Sequence, residues 1–211
     1  MELSWDILLA FNSILDGKRI RGIRFNSIKP ESEEVFVKET VGKMIKSGLV
    51  KESGELTETG EMIRYVLNQY KTAQTVVFIN RIRIGLVKGN ICPALIPTYE
   101  EGQLSKVDVR IVHKEIIFLA LIEGYPILRQ GHMGSIAKYP DLYEVKSKII
   151  NHDLNETLFL AKECTGHNEN YICLIDSDRI QKIDLIKESV SVVGGGDIRH
   201  DIACMLGLTW M

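Results

Sequence analysis

At 211 residues, 45% of them hydrophobic, the chain is long enough for one large domain or two small ones with a real core. A formal net charge of −2 excludes a global attraction to nucleic acid or acidic membranes, whose binders present a basic face. No apolar run reaches the roughly 18 residues of a membrane span, and Met1-Glu2 lacks the basic start of a secretory signal, so a cytoplasmic protein without membrane insertion is expected.

In chain order, Leu3, Ile7, Leu8, Phe11, Ile14 and Leu15 share one helical face behind the N-cap Ser4, and Gly17 ends that helix. Lys18 to Phe25 (KRIRGIRF) alternates basic and apolar residues as a short edge strand does; its four cations suit either nucleic acid or a solvated edge that discourages sheet pairing. Pro30 and Ser32 open a second helix with Val37, Val41, Met44 and Ile45 inward and Gly48 after its end. Leu49-Val50, a turn at Gly54, Leu56, and Thr57 capping a helix with Met62, Ile63, Val66, Leu67 and Tyr70 inward complete a helix, hairpin, helix order. This predicts a winged-helix-like unit over residues 1–74. Its eleven Lys/Arg balance eleven Asp/Glu, and Glu31, Glu33 and Glu34 open the second helix, so the charge that supplies non-specific DNA affinity is missing and no nucleic acid is expected.

Residues 75–211 read as an antiparallel sheet with helices, continuous with the N-terminal unit. Thr75 to Val87 alternates as one long strand, and Ile91 to Ile96 returns beside it across Lys88-Gly89-Asn90, with Pro93 marking an edge or a bulge. Tyr99 to Ser105 is a polar loop, and Val107, Val109 and Ile111 alternate with Lys106, Asp108 and Arg110. Glu115 to Ile122 (EIIFLALI), eight apolar-rich residues stopped by Gly124-Tyr125-Pro126, reads as a central strand covered on both faces, with a buried helix as its rival. Gly124 to Pro140 is a long loop. Within it Arg129, His132 and Met133 are the candidate partner-binding residues, since Arg and Met are enriched in interface cores. A helix over Asp141 to Ile150, a strand at Thr157 to Ala161, a hairpin of Tyr171 to Ile175 and Arg179 to Ile186 about Asp176-Ser177-Asp178, and a strand at Val190 to Val193 follow. Asp197 then caps a last helix with Ile198, Ile202, Met205 and Leu206 inward.

Chemistry is sparse. Cys164 and His167, with Cys173, and His200 and Cys204 four apart on the last helix, offer metal-ligand types, but the spacing pairs nothing cleanly, and Cys92, Cys164, Cys173 and Cys204 read as reduced, mostly buried thiols. Gly194 to Gly196 lacks the lysine of a phosphate-binding loop, and Ser135 lies outside any nucleophile elbow. Asp176 and Asp178 read as turn residues. No catalytic residue, metal or cofactor is assigned, and an enzyme is not expected.

The order of these parts, a Leu-rich first helix, a helix ending in SGLV, an ELTETG connection to a helix ending YKTAQ, then antiparallel strands, resembles the EspG-type chaperones of type VII secretion. It is most similar to their shorter Gram-positive relatives, the EsaE-like DUF5081 group. The resemblance implies an α+β fold with a central antiparallel sheet, packed helices and quasi-symmetric halves. It also implies a cytosolic chaperone that binds a secreted substrate, a toxin or small helical protein, and directs it to the secretion ATPase. The alternative is a winged-helix transcription regulator with a C-terminal sensor domain; a small-molecule-binding domain is a third reading.

Overall fold

The computed structural model describes residues 1–28, 32–131, 157–164, 167–175 and 180–208. These form β1 (Glu2–Ser4), α1 (Trp5–Leu15), α2 (Glu33–Lys46), α3 (Glu58–Thr72), β2 (Thr75–Ile79), β3 (Ile82–Leu86), β4 (Ile91–Glu100), β5 (Gln103–His113), α4 (Lys114–Gly124), a 3-10 turn (Pro126–Arg129), β6 (Thr157–Cys164), β7 (His167–Ile175), β8 (Ile180–Asp184), β9 (Ser189–Val193) and α5 (Gly195–Leu206). The fold is α+β: the strands run in the order β1-β5-β4-β3-β2-β6-β7-β8-β9, and the recorded ladders are antiparallel. No helix among the described residues is long and apolar enough to cross a membrane. The chain divides into two compact units.

The first unit comprises Met1–Ala73, Arg81–Val87 and Cys92–Ile111. α1 begins behind Ser4 as its pattern predicts and buries Ile7, Leu8 and Phe11, whereas Ile14 is exposed. Lys18 to Phe25 forms no strand, although Ile20 and Ile23 do point inward; the segment is held by the Tyr70 hydroxyl, which donates to the Arg21 carbonyl at 2.9 Å. α2 buries Thr40 and Met44 and exposes Val37 and Val41, which the 3.6-residue pattern places inside. The inner face of α2 is rotated toward Phe36, whose ring stacks on Trp5 at 5.2 Å. The hairpin that follows is a single bridge, Val50↔Leu56, around Gly54. Thr57 caps α3 by accepting from the Gly60 amide at 3.2 Å, and Ile63, Val66, Leu67 and Tyr70 are buried. Two glycines allow close approach: a Cβ on Gly60 would lie 2.2 Å from the Leu49 carbonyl oxygen, and one on Gly85 would lie 3.1 Å from the Tyr70 Cα. Pro93 sits in an interior strand, not at an edge. The β3 ladder runs through Arg83↔Leu95 and Ile84↔Ala94 and stops short of Pro93, so its missing N–H leaves none of those bonds unmade. β4 and β5 meet at a two-residue turn, Glu101 (φ 51) and Gly102 (φ 78), where a longer polar loop is expected.

The second unit comprises Gln74–Asn80, Lys88–Ile91 and the chain from Val112 onward. The predicted long strand from Thr75 breaks at Asn80, whose φ of 49 is left-handed. The Asn80 amide donates to the Phe159 carbonyl at 2.9 Å, its Oδ1 accepts from the Phe159 amide at 2.8 Å, and its Nδ2 donates to the Tyr125 hydroxyl at 2.9 Å. A side chain with both donor and acceptor thereby stands in for a strand neighbour. Glu115 to Ile122 is the larger correction: it lies within α4, not in a strand. A uniformly apolar run carries no period to separate the two, and the first turn is fixed by the Lys114 amide donating to the Asn90 carbonyl at 3.0 Å. β6 through β9 form a meander with Leu174, Ile183 and Val190 clustered on one face. α5 buries Ile198, Ile202, Met205 and Leu206 as its pattern predicts. Gly194 is its N-cap; Asp197 stands three residues later and accepts from the Gly194 amide at 2.9 Å. The predicted helix at 141–150 and the turn at 176–178 lie outside the described residues.

Candidate partner-binding surfaces

α3 buries one face and offers another. Met62 and Tyr65 are 61% and 60% exposed, each directly preceding a buried residue, Ile63 and Val66. Beside Met62 in the first unit lie Met1 and the end of β5. β1 pairs with β5 only from Lys106 to Val109, the last step being Met1, whose amino group donates to the Val109 carbonyl at 2.8 Å and whose carbonyl accepts from the Val109 amide at 2.8 Å. Ile111 follows on β5 and is 53% exposed. Met1, Met62, Ile63, Val66, Val109 and Ile111 line a groove of about 360 Å³. Its rim charges are matched: Asp108 accepts from the Met1 amino group at 2.9 Å and from Arg110. Burial works to raise the Asp108 carboxyl, but those two donors prevail and hold it below the usual carboxylate range. A polar cleft of about 470 Å³ opens on the same unit at Trp5, Glu100 and Glu101.

In the second unit an apolar surface lies on the outer side of α4, where Ile116 and Leu119 are 64% and 57% exposed. Arg129, from the 3-10 turn, lies against the C-terminal end of α4; its guanidinium donates to the Ile122 carbonyl at 3.3 Å and the Glu123 carbonyl at 3.1 Å. Those carbonyls lack helical partners, and a cation there also meets the negative end of the helix dipole. His132 and Met133, the other two candidate partner-binding residues, lie outside the described residues. Sequence reasoning missed the Met1, Met62 and Ile111 surface because it placed Met62 in the core. The available signal was that Met62 and Tyr65, three apart, extend the α3 stripe wider than one packed face requires.

Polar clusters elsewhere are structural. The Lys182 ammonium lies 2.5 Å from Asp201 and 4.0 Å from the centre of the Tyr171 ring. Burial opposes its charge, yet the Asp201 carboxylate holds the amine above its ordinary range. Opposite it on the neighbouring strand, the Cys173 thiol is pushed up to about 12 by burial, so it stays protonated and unreactive. Cys92 is buried and Cys164 half-buried, but Cys204 is exposed, against the expectation of mostly buried thiols. Among the described residues no group of three or more His, Cys, Asp or Glu is gathered for a metal.

The whole chain superposes on a solved structure from Mycobacterium tuberculosis, the type VII secretion system chaperone EspG5 in complex with a PE25-PPE41 dimer, with a TM-score of 0.50 and 10% identity, covering 100% of this chain and 97% of that one. At that identity the likeness is one of fold. No curated protein matches in sequence. The family model of the domain of unknown function DUF5081 matches residues 8–137, more than half of the sequence, and the chain belongs to that family.

Proposed function

We propose that this protein is a cytoplasmic chaperone of a type VII secretion system, which binds a secreted polypeptide, holds it export-ready and directs it to the secretion ATPase. The reading rests on one observation: the α+β architecture follows that of a type VII secretion chaperone along essentially the full length of both chains. That chaperone is in complex with a PE25-PPE41 dimer, and the corresponding partner here is a secreted helical protein or toxin. Exposed apolar side chains support it, since Met62 and Ile111 in one unit and Ile116 and Leu119 in the other offer surface to a hydrophobic partner. Holding a partner calls for shape and not for a reactive side chain, so no catalytic step is assigned. Arg129, His132 and Met133 are proposed contacts, with Arg129 steadied by the end of α4.

The test is co-expression with candidate substrates, small helical secreted proteins of the same host, followed by size-exclusion chromatography. A stoichiometric complex that Met62→Glu or Arg129→Glu weakens by about tenfold or more, which is about 1.4 kcal/mol, is expected. Separate elution of every such protein would overturn the reading. Recruitment to the ATPase is checked by pull-down of the ATPase with the complex and not with the free chaperone.

A further inference from the structure

Four cations, Lys18, Arg19, Arg21 and Arg24, fall within seven residues, and no acidic residue lies between Asp16 and Glu31. Protecting a strand edge is not their reason, because the segment forms no strand. Arg21 serves the fold: its guanidinium donates to the Ala73 carbonyl, and its own carbonyl accepts from the Tyr70 hydroxyl at 2.9 Å. Asp16, the acid at the head of the segment, is taken by Lys71 and by the Lys18 amide at 3.0 Å. That leaves Arg19 and Arg24, both exposed, and neither guanidinium has a hydrogen bond or ion pair among the described residues. They flank a tight turn, in which the Ile23 amide donates to the Ile20 carbonyl at 3.2 Å and Gly22 takes a φ of 73. The ends of such a turn lie within about 7 Å of each other, so the two arginines leave the chain from neighbouring points. The backbone beneath them is held on both sides. Ile20 and Ile23 are buried, the Lys18 carbonyl accepts from Lys71 at 3.0 Å, and the Asn26 side chain exchanges two hydrogen bonds with the Leu104 backbone, each at 2.9 Å. Two like charges are thus fixed close together with nothing in the fold to balance them, and a partner that pairs with them has little backbone left to order.

We propose that Arg19 and Arg24 form a docking point for an acidic stretch of a partner polypeptide, whose carboxylates they meet as bidentate ion pairs. The planar guanidinium fork matches a carboxylate in shape as well as in charge. Nucleic acid and acidic lipid call for a broad cationic field, whereas residues 1–74 are neutral as a whole, with eleven Lys/Arg and eleven Asp/Glu. A short local pair of arginines suits a short local run of acids. The proposal does not depend on the chaperone reading.

The experiment titrates the full-length protein into a fluorescein-labelled acidic peptide, Glu and Asp interspersed with Leu, and reads anisotropy. Expected is saturable binding that weakens as salt is raised from about 0.05 to about 0.5 M. Arg19→Glu/Arg24→Glu lowers the affinity about tenfold or more, since it sets acid against acid, and Arg19→Ala or Arg24→Ala alone lowers it about threefold. Circular dichroism and melting stay with the parent, because both side chains are exposed. Lys38→Glu/Lys46→Glu makes the same change of net charge from exposed positions on α2 and leaves binding as it was. Absence of binding at low salt, an equal loss in the α2 variant, or tighter binding to a single-stranded oligonucleotide of equal charge or to phosphatidylserine vesicles than to the peptide would each overturn the proposal.

Discussion

α3 and α4 are both rich in apolar residues, yet they treat them in opposite ways. α3 alternates polar and apolar positions with the helical period and buries Ile63, Val66, Leu67 and Tyr70. α4 is apolar almost all round, and of its eleven residues only Lys114 and Ile117 are buried while Ile116 and Leu119 face outward. A helix dissolved in a core would bury both faces; α4 does not, so its composition reflects something other than packing. The difference teaches that apolar periodicity, and not apolar content, reports which side of an element the fold is built on.

The strongest way to break the comparison is to cut into the inner face of α3. Leu67 is fully buried, and Leu67→Ala is expected to cost about 2–5 kcal/mol, the range for lost contacts plus a cavity, read from the urea midpoint. Next comes the start of the same helix. In Gly60→Ala the new methyl would lie 2.2 Å from the Leu49 carbonyl oxygen, which is backbone and cannot swing away, so a loss of about 1–3 kcal/mol or more is expected. A Gly60→Ala protein as stable as the parent would show that the turn before α3 is looser than its geometry implies.

The legibility of the sequence follows the same division. Where polar and apolar residues alternate, the elements are readable: α3 with its Thr57 cap, the buried set of α5, the β7–β8 hairpin pairing and the strand at Thr157 all lie where their patterns put them. Where the pattern is uniform or a turn is made by a non-glycine residue, they are not. EIIFLALI has no period, and Asn80 reverses the chain through side-chain hydrogen bonds to Phe159 that no local rule announces. α2 shows a third kind of miss, since its period is right and its phase wrong: the aromatic contact of Phe36 with Trp5 decides which side faces in. Of the candidate contact residues, Arg129 carries a local signal only in hindsight, as a cation placed a few residues beyond a helix end.

Smaller effects sharpen the contrast at the helix starts. Thr57→Ala removes the acceptor of the Gly60 amide and the donor to the Gly48 carbonyl at 2.6 Å, and a loss of about 1 kcal/mol is expected by thermal or urea unfolding. At α1 the start depends on charge. Burial raises the Asp6 carboxyl, but Lys43, the Ser4 hydroxyl and the Ile7 amide outweigh it and hold it below its ordinary value near 3.8. A depressed folded value means that Asp6 contributes its stability in full above that ordinary value and loses it as the pH falls through the lower, folded one. Asp6→Asn should therefore lower stability at neutral pH and flatten the acid limb below about pH 4. Parallel curves for the two proteins across that limb would remove Asp6 from the account.

The smallest expected effect is on α4, and it decides what that helix is for. If Ile116 and Leu119 face solvent in the isolated protein, replacing both by Gln removes little packing, and stability should stay within about 0.5 kcal/mol of the parent. Gln suits a helix about as well as Leu and Ile, so propensity does not confuse the result. A loss of about 2 kcal/mol or more would mean that the two side chains are covered in solution and that α4, like α3, is held by its own core. A neutral result leaves an apolar stripe that folding does not need. Binding by a hydrophobic partner then becomes the physical reason for keeping it, and the same double variant should lose the proposed secreted partner in co-expression while melting with the parent.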